Sequence, residues 1–325
     1  MEELFKIIPK DYFATDLKKN TLGSIKLAFL REVTGNLIIR NNYADETTIF
    51  RLSNEREVVE IPARKLKSKE KLLGLKICRQ FGVVDESVRY NVINSSEMLA
   101  NPNSILFGDS VTKENEAIGL KSRAIYDWAY SIRDVSQITG TLQHNALSEG
   151  GTMWDEEKGE LRKSLFQVQY VKPGTLFPHF ITVENVSVEL FLHLLSCVLY
   201  QNNYGAQDST SGANLRNHLI GVGFSRFEQP VNSYLIAKNW KNETVNFETV
   251  SAAISTTMSN AYGKGFATGD KLTTFMTSLH ENDAQLKSVY AKAKTDCLTF
   301  TNSIGIKVKT PKPKADKTKK TEDNG

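Results

Sequence analysis

The fold class is decided by the stretch His179-Phe-Ile-Thr-Val-Glu-Asn-Val-Ser-Val-Glu-Leu-Phe-Leu-His-Leu-Leu-Ser-Cys-Val-Leu-Tyr200. Its first six residues, His179–Glu184, are mostly aromatic or β-branched and predict a strand. Ser187 can cap a helix over Val188–Tyr200 that is apolar nearly all round, so this helix is expected to pack beneath a sheet. The apolar run has 13 residues, whereas a membrane span requires about 20.

Further strands and helices are predicted on both sides of this unit. Alternating apolar residues bounded by Gly, Pro, Asn or Ser predict strands at Ser24–Val33, Lys163–Val171 and His218–Phe227. Helices are predicted from a Ser68 cap to about Phe81, and over Phe247–Tyr262, Asp270–His280 and Asp283–Asp296. Strands interleaved with helices and followed by a helical end indicate an α+β fold.

The charge is unevenly distributed along the 325 residues. Lys and Arg number 41 against 37 Asp and Glu, a net charge of +4. Residues 307–325 hold seven lysines and three acids, so the whole excess lies in this segment, which is predicted to be disordered. The remaining chain is neutral, which argues against a strongly basic nucleic-acid-binding protein; any phosphate contacts would come from local patches.

Composition and motifs narrow the function classes. Hydrophobic residues make up 40% and charged residues 24%, the mix of an ordinary soluble protein, and the acidic start lacks the features of a secretory signal, so a cytoplasmic location is expected. Cys78, Cys197 and Cys297 are far apart and form no CxxC pair, which argues against a disulfide scaffold. No GxGxxG, GxxxxGK[ST], HExxH or GxSxG motif is present, which weakens dehydrogenase and hydrolase hypotheses.

Two basic clusters could contact nucleic acid. Between Arg64 and Arg79 seven cations face a single acid, Glu70, and helical spacing would place Lys65, Lys69 and Lys76 near one face. This stripe is either a phosphate-binding surface or an ordinary solvated face. The second cluster, Lys121-Ser-Arg-Ala-Ile-Tyr126, combines cations with an aromatic ring that could stack on a base.

Acidic segments oppose these clusters. Asp45–Glu60 and Glu149–Glu160 are both rich in acid, and a neutral body with unlike patches suits head-to-tail self-association. The second segment lies in a turn-rich stretch, Gly140–Gly174, that predicts either a projecting hairpin or a simple surface loop.

Glycines mark two further places. Asn202–Gln207 leaves the apolar helix through Gly205, and the strand that follows contains Gly221 and Gly223. Glycine inside a strand indicates close approach of a ligand or another backbone, or tight packing against a neighbouring element. The pattern leaves both open.

Several short motifs together resemble a known family. They are Ile105-Leu-Phe-Gly-Asp109, Glu149-Gly-Gly-Thr-Met153, Tyr204-Gly-Ala-Gln207, Ser211-Gly212 and Asn217-His-Leu-Ile-Gly221. In this order and spacing they are similar to the crRNA-binding backbone subunit of type I-D CRISPR interference complexes, of the RAMP superfamily. The similarity runs from about Gly23 to Trp240.

The resemblance implies an RRM-like (ferredoxin-like) antiparallel core in one domain, residues 1–306. Insertions would occupy about 40–125, a thumb hairpin about 140–174, and helices 246–296. Several copies would polymerise along one guide RNA, with other CRISPR effector subunits, and present it to target DNA. The RNA-binding candidates are Lys26, Arg31, Lys121, Arg123, Tyr126, Thr152, Met153, Tyr204, Gly205, Ala206, Gln207, Asn217 and His218.

The sequence departs from the family pattern in two places. Asn203 and Thr210 stand where family members carry arginines, which would weaken guide contact near this loop. Asn101 and Ser104 replace a cysteine pair that would suit zinc, so no zinc or other cofactor is expected.

Two alternatives remain. Related backbone subunits of RNA-targeting complexes use a loop aspartate for metal-assisted cleavage, and Asp45 lies in the comparable place; a plain exposed acidic loop is the competing interpretation. The chain could also be an interaction scaffold that binds no nucleic acid.

Overall fold

The computed structural model describes residues 1–41, 43, 45–113, 116–145, 152–155, 157–161 and 165–306. The predicted disordered tail 307–325, and residues 149–151 of the glycine motif in the predicted thumb, lie outside the described residues.

Fourteen strands and ten α-helices are formed by the described residues. The strands are β1 (Ser24–Val33), β2 (Ile49–Arg51), β3 (Glu57–Ile61), β4 (Asp109–Lys113), β5 (Glu116–Leu120), β6 (Ala124–Tyr126), β7 (Ala129–Asp134), β8 (Thr139–Asn145), β9 (Trp154–Asp155), β10 (Glu160–Leu161), β11 (Leu165–Val171), β12 (Leu176–Glu184), β13 (Leu215–Ser225) and β14 (Phe266–Thr268). The helices are α1 (Glu2–Ile7), α2 (Ala63–Gln80), α3 (Pro102–Phe107), α4 (Val135–Ile138), α5 (Val188–Leu199), α6 (Asp208–Ser211), α7 (Ser233–Lys238), α8 (Phe247–Tyr262), α9 (Gly269–Glu281) and α10 (Asp283–Ser303). Among them, no helix is both long and apolar enough to cross a membrane.

The core is an antiparallel sheet in the order β14-β13-β1-β12-β6. Four of its strands and two helices follow the chain order β1-α2-β6-β12-α5-β13, which is the ferredoxin-like βαββαβ pattern. The α+β, RRM-like fold class predicted from the sequence is therefore confirmed.

Helices cover both faces of this sheet. On one face Ile25, Leu27 and Phe29 of β1 pack into a core with α5, α9 and α10. On the other face Ala28 and Leu30 of β1 pack with residues of α7 and α8. An RRM that stacks bases on its sheet needs one face open to solvent, and helices occupy both faces of this sheet.

A second core lies where β1 ends. It joins Val33, Leu37 and Ile39 to Leu66 of α2 and to Tyr204, which precedes β13. A small sheet in the order β2-β3-β7 packs beside it. This core fixes the segment after β1 between α2 and the residue 203–214 loop.

One predicted helix start is wrong. The helix expected to begin at a Ser68 cap begins at Ala63, with Pro62 at the N-cap position, and Ser68 lies inside it. Ser68 Oγ donates to the carbonyl of Lys65 instead of capping the helix (3.4 Å). Proline with its fixed φ is favoured at a helix start, so the chain enters the helix six residues earlier than the serine indicated.

The two glycines inside β13 serve packing. A Cβ at Gly221 would lie 2.4 Å from the ring of Phe266, and a Cβ at Gly223 would lie 2.5 Å from the ring of Tyr262. Of the two interpretations left open by the sequence, the structure therefore supports tight packing against neighbouring elements.

Candidate nucleic-acid interface

Several loops converge at the end of the core sheet where β1 finishes. The carbonyl of Asn214 accepts hydrogen bonds from the amides of Thr34 (3.0 Å) and Gly35 (3.3 Å). Leu37 pairs with Val171, at the base of the hairpin β8–β11, through bonds of 3.1 and 2.8 Å. The segment after β1 thus lies between the 203–214 loop and the hairpin.

The loop motif Tyr204–Gln207 is held tightly against this segment. Gly205 has φ +81°, and a Cβ there would lie 2.3 Å from the carbonyl oxygen of Ile38. The amide of Ala206 donates to the same carbonyl (2.9 Å). Gln207 has φ +52° and its side chain is exposed. Glycine is required at position 205, and of this predicted set Gln207 presents its side chain to solvent.

Two arginines flank the same segment. Arg40 is half-buried, and within the described residues its Nε has no hydrogen-bond partner. Arg64, in the first turn of α2, is exposed and donates to the side chain of Asn41. The first turn of α2 holds no acid, and no side chain of the described residues caps it. Free helix amides beside cations are a favourable environment for a phosphate group.

A two-stranded ribbon rises from this end. β8 pairs with β11 over its whole length, from Thr139 opposite Val171 to Asn145 opposite Leu165. A second short ribbon, β9–β10, pairs Trp154 with Leu161. Among the described residues, paired strands therefore occupy both ends of the predicted projection Gly140–Gly174.

The short ribbon exposes two large apolar side chains. Trp154 is 46% exposed and Leu161 is 61% exposed. Of the two predicted wedge residues, Thr152 is exposed and accepts a bond from the amide of Trp154 (3.3 Å), and Met153 is half-buried. Sequence reasoning missed Trp154 and Leu161, although Trp154 directly follows the predicted pair.

Arg31 requires a correction, because it is completely buried. Its Nη1 donates to Oε1 of Glu70 (2.8 Å) and to Oδ1 of Asn217 (2.7 Å), and its Nη2 donates to Nδ1 of His179 (3.2 Å). Burial alone would lower the pKa of Arg31, but the Glu70 carboxylate raises it above its ordinary value. Arg31 ties β1 to α2 and is not available to RNA in this conformation.

Three more candidates belong to this buried group. The hydroxyl of Tyr204 donates to Oε1 of Glu70 (2.8 Å), and that of Tyr126 donates to Oε2. The amide of Asn217 donates to the carbonyl of Val198 (2.8 Å) and to the hydroxyl of Tyr204 (3.0 Å). Burial, followed by the charge of Glu70, raises the pKa of both tyrosines well above the usual value. The side chains of Tyr126, Tyr204 and Asn217 therefore hold the fold together rather than line an RNA path.

Lys26 and Arg123 are likewise engaged by the protein. Lys26 is 4% exposed, and its Nζ donates to the carbonyls of Gln229 (2.8 Å) and Val231 (3.0 Å). Arg123 is half-buried and donates through Nη2 to the carbonyl of Leu17 (2.8 Å). Both predicted RNA contacts are corrected for the same reason: their charged groups are already paired with backbone oxygens.

Lys121 lies apart from the convergence, whereas His218 lies opposite Leu30, near the end of β1. Lys121 is exposed and borders a groove of about 620 Å³ at the Ser24 end of β1. Because β1 has 10 residues, its two ends lie about 30 Å apart, so Lys121 and Gln207 cannot contact the same phosphate. His218 bonds to Glu32 (2.9 Å) and packs against Phe247, and burial lowers its pKa.

Asp45 is exposed, and its carbonyl accepts a bond from the amide of Gln169 (2.8 Å). Among the described residues, no three or more His, Cys, Asp or Glu side chains come together as a metal site requires. The nuclease hypothesis remains an untested prediction from the sequence.

A comparison with protein families decides the family. The model described as Csc2 Crispr matches residues 14–292 of the chain. The chain belongs to the Csc2 CRISPR family. This confirms the family predicted from the five ordered motifs, and no curated protein matches the chain.

Solved structures agree with the Csc2 fold. The crystal structure of Thermofilum pendens Csc2 aligns with a TM-score of 0.60 at 16% identity, and covers 91% of this chain and 95% of that chain. A CRISPR RNA-guided surveillance complex in a pre-nicking state aligns with a TM-score of 0.48 at 11% identity, covering 72% of this chain and 86% of that one. Another CRISPR RNA-guided surveillance complex gives 0.46 at 10% identity, with coverages of 73% and 85%. Only the first alignment is close enough to support the shared fold.

Proposed function

We propose that this chain is a guide-RNA-binding backbone subunit of a CRISPR effector complex, and that copies of it polymerise head-to-tail along one crRNA. Its other partners would be further effector subunits and the target DNA that pairs with the guide. It would act in the cytoplasm and hold the RNA backbone, while base pairing supplies specificity.

The observation that carries this proposal is the cationic surface at the end of β1. Arg40 with its unpartnered Nε, exposed Arg64 and the uncapped start of α2 lie along one segment, Thr34–Asn41. Phosphate oxygens would pair with the exposed guanidinium of Arg64 and with amides at the start of α2. The Nε of Arg40 is buried without a partner, so Arg40 would join them by turning its side chain outward. Gln207 borders the same surface and can donate to a phosphate or a base.

The short ribbon β9–β10 supports the proposed polymerisation of copies along one crRNA. Thr152 and Met153 lead into β9, where Trp154 pairs with Leu161 of β10. The exposed indole of Trp154 can stack on or wedge between bases. A ribbon with apolar residues at this position would separate bases at regular intervals as copies follow one another along the guide.

Guide binding by charge-reversal variants tests the phosphate surface. Arg40→Glu combined with Arg64→Glu should weaken binding of a guide RNA by at least tenfold in a filter-binding assay, and should reduce the dependence of binding on salt concentration. The matched control is Lys271→Glu combined with Lys287→Glu, at exposed positions of α9 and α10. Equal affinities of the double variant and the control, with equal salt dependence, would contradict the assignment.

A further inference from the structure

An aromatic pocket lies on the edge of the molecule formed by β6, β7 and α7. Its volume is about 420 Å³, and its walls include Phe50, Trp128, Tyr130 and Tyr234 together with the carboxylates of Glu60 and Asp127. The pocket differs chemically from the cationic phosphate surface, because its lining combines aromatic rings with carboxylates.

The aromatic walls are rigidly packed against one another. The ring of Phe50 lies 5.1 Å from Tyr130 and 6.2 Å from Tyr234, and the two tyrosines are 6.0 Å apart. They cover a small core of Leu52, Val58 and Ala237, whereas Trp128 is 43% exposed. The rings form a preformed wall, with Trp128 standing at the open side.

The two carboxylates are held inside this wall. Glu60 is 6% exposed, and Tyr130 hydrogen-bonds to its carboxylate. Asp127 accepts bonds from the amides of Phe180 (2.8 Å) and Ser233 (2.7 Å). Burial raises the pKa of Glu60, and it raises that of Asp127 to about 7 although the charges of Lys26 and Arg31 act to lower it.

The lining excludes anions and favours cations. The described residues that line the pocket include no lysine, arginine or histidine. A phosphate would meet two carboxylates and the negative faces of four rings, which is unfavourable. A cation gains from both the rings and the carboxylates. Tyr234 already has a cation near it on the protein itself, since Nζ of Lys238 lies 5.8 Å from its ring centroid.

We propose that this pocket receives a lysine or arginine side chain from a neighbouring protein chain. RNA and DNA carry no cationic group, whereas lysine and arginine carry one on a long apolar stem that can pack against the rings. The surface around the pocket fits such a partner: Ile125, in the edge strand β6, is 40% exposed, and an adjoining concavity of about 430 Å³ shares Asp127 with the pocket. The partner would place a basic side chain between the rings and an apolar residue against Ile125.

Fluorescence of Trp128 tests the pocket directly. In the full chain with Trp154→Phe and Trp240→Phe, we expect N-acetyl-arginine amide to change the emission saturably in the millimolar range. N-acetyl-citrulline amide, which has nearly the same shape without the charge, should have no saturable effect. Equal responses to both compounds, or none to the arginine and lysine amides, would overturn the proposal.

Matched variants assign the effect to this site. Glu60→Gln should weaken binding of the arginine amide at least fivefold, whereas Glu57→Gln, at an exposed position of the same strand, should leave it unchanged. Trp128→Leu, measured by calorimetry, should also weaken binding and serves if the Glu60 variant does not fold. Unchanged affinity in the folded variants would overturn the assignment, and neither result depends on whether the chain binds guide RNA.

Discussion

Arg31 and Glu70 form a buried ion pair that joins the core sheet to α2. Both side chains are fully buried, and Tyr126, Tyr204 and Asn217 supply further hydrogen bonds. Removing one partner of such a pair leaves an uncompensated charge in a poorly solvated site. The pair therefore holds the α2 segment in place beneath the proposed phosphate surface.

Replacing Arg31 should consequently destabilise the fold. We expect Arg31→Met to lower the free energy of unfolding by about 3–5 kcal/mol in urea denaturation. Arg51→Met, which breaks an exposed pair with Glu55, should cost less than about 1 kcal/mol. If Arg31→Met weakened guide binding while leaving stability unchanged, Arg31 would be an RNA contact after all.

A second prediction concerns the substitution of Gly205. Gly205→Ala should lower the free energy of unfolding by about 2–4 kcal/mol, because its positive φ and the carbonyl of Ile38 both oppose a Cβ. Gly82→Ala, with φ +63° but open space around it, should cost only about 1 kcal/mol. Thermal unfolding of both variants measures the difference, and equal losses would show that the close approach at Gly205 has no energetic weight.

The sequence identified polar residues with special environments but not what they contact. Arg31, Tyr126, Tyr204 and Asn217 were expected on an RNA path, and they meet around Glu70 instead. Residue types that bind phosphates and bases are the same types that satisfy a buried charge, so only the fold distinguishes the two roles. The sequence correctly indicated that the backbone at position 205 requires glycine.

Among the elements, the short ribbon β9–β10 exposes the large apolar side chains of Trp154 and Leu161. Trp154→Ser combined with Leu161→Ser should leave the unfolding free energy within about 0.5 kcal/mol of the parent, since both side chains are exposed. The same double variant should form shorter particles on a guide RNA in light scattering. Val92→Ser, at another exposed apolar position, is the control; particles of normal length from the double variant would remove the ribbon from the assembly.

Elements with strong local signals were predicted well. Ser187 caps α5 through a bond from the amide of Leu190 (3.3 Å), and α8 begins at the expected Phe247 after an Asn246–Thr249 capping box. The short strands β2, β3 and β7 were not predicted, because runs of three to six residues carry little periodicity and depend on pairing with distant partners.

For the whole molecule, buried histidines set a pH dependence of stability. His193 is buried between Tyr290 (3.0 Å) and Asn103 (3.4 Å), and burial lowers its pKa to about 3 from the usual 6.5. The unfolded chain therefore binds a proton that the folded chain does not between these values, and stability falls as the pH falls below about 6.5.

His193→Gln should remove this component. Between pH 6 and pH 4 the unfolding free energy of the parent should fall more steeply than that of the variant, by about 1.4 kcal/mol per pH unit. Asp127, whose raised pKa acts in the opposite direction, is common to both proteins and cancels. Parallel pH profiles would show that His193 is protonated in the folded state.

The overall arrangement could be predicted in part. Family motifs gave the RRM-like core, but the covering of both sheet faces depends on α7 and α8 packing against Ala28 and Leu30 of β1. The sequence pattern indicates that both faces of β1 are apolar, but it does not indicate which elements cover them. The separation of Lys121 from Gln207 by the length of β1 likewise follows only from the sheet.

Purification of the full chain together with a guide shows whether this protein holds guide RNA. We predict that the chain co-purifies with RNA in particles much larger than a monomer, with an absorbance ratio at 260 and 280 nm typical of nucleoprotein. Arg40→Glu with Arg64→Glu should shift the protein towards an RNA-free form, whereas Lys271→Glu with Lys287→Glu should not. A parent chain that purifies free of nucleic acid and does not bind added guide RNA would contradict the proposed guide-RNA-binding function.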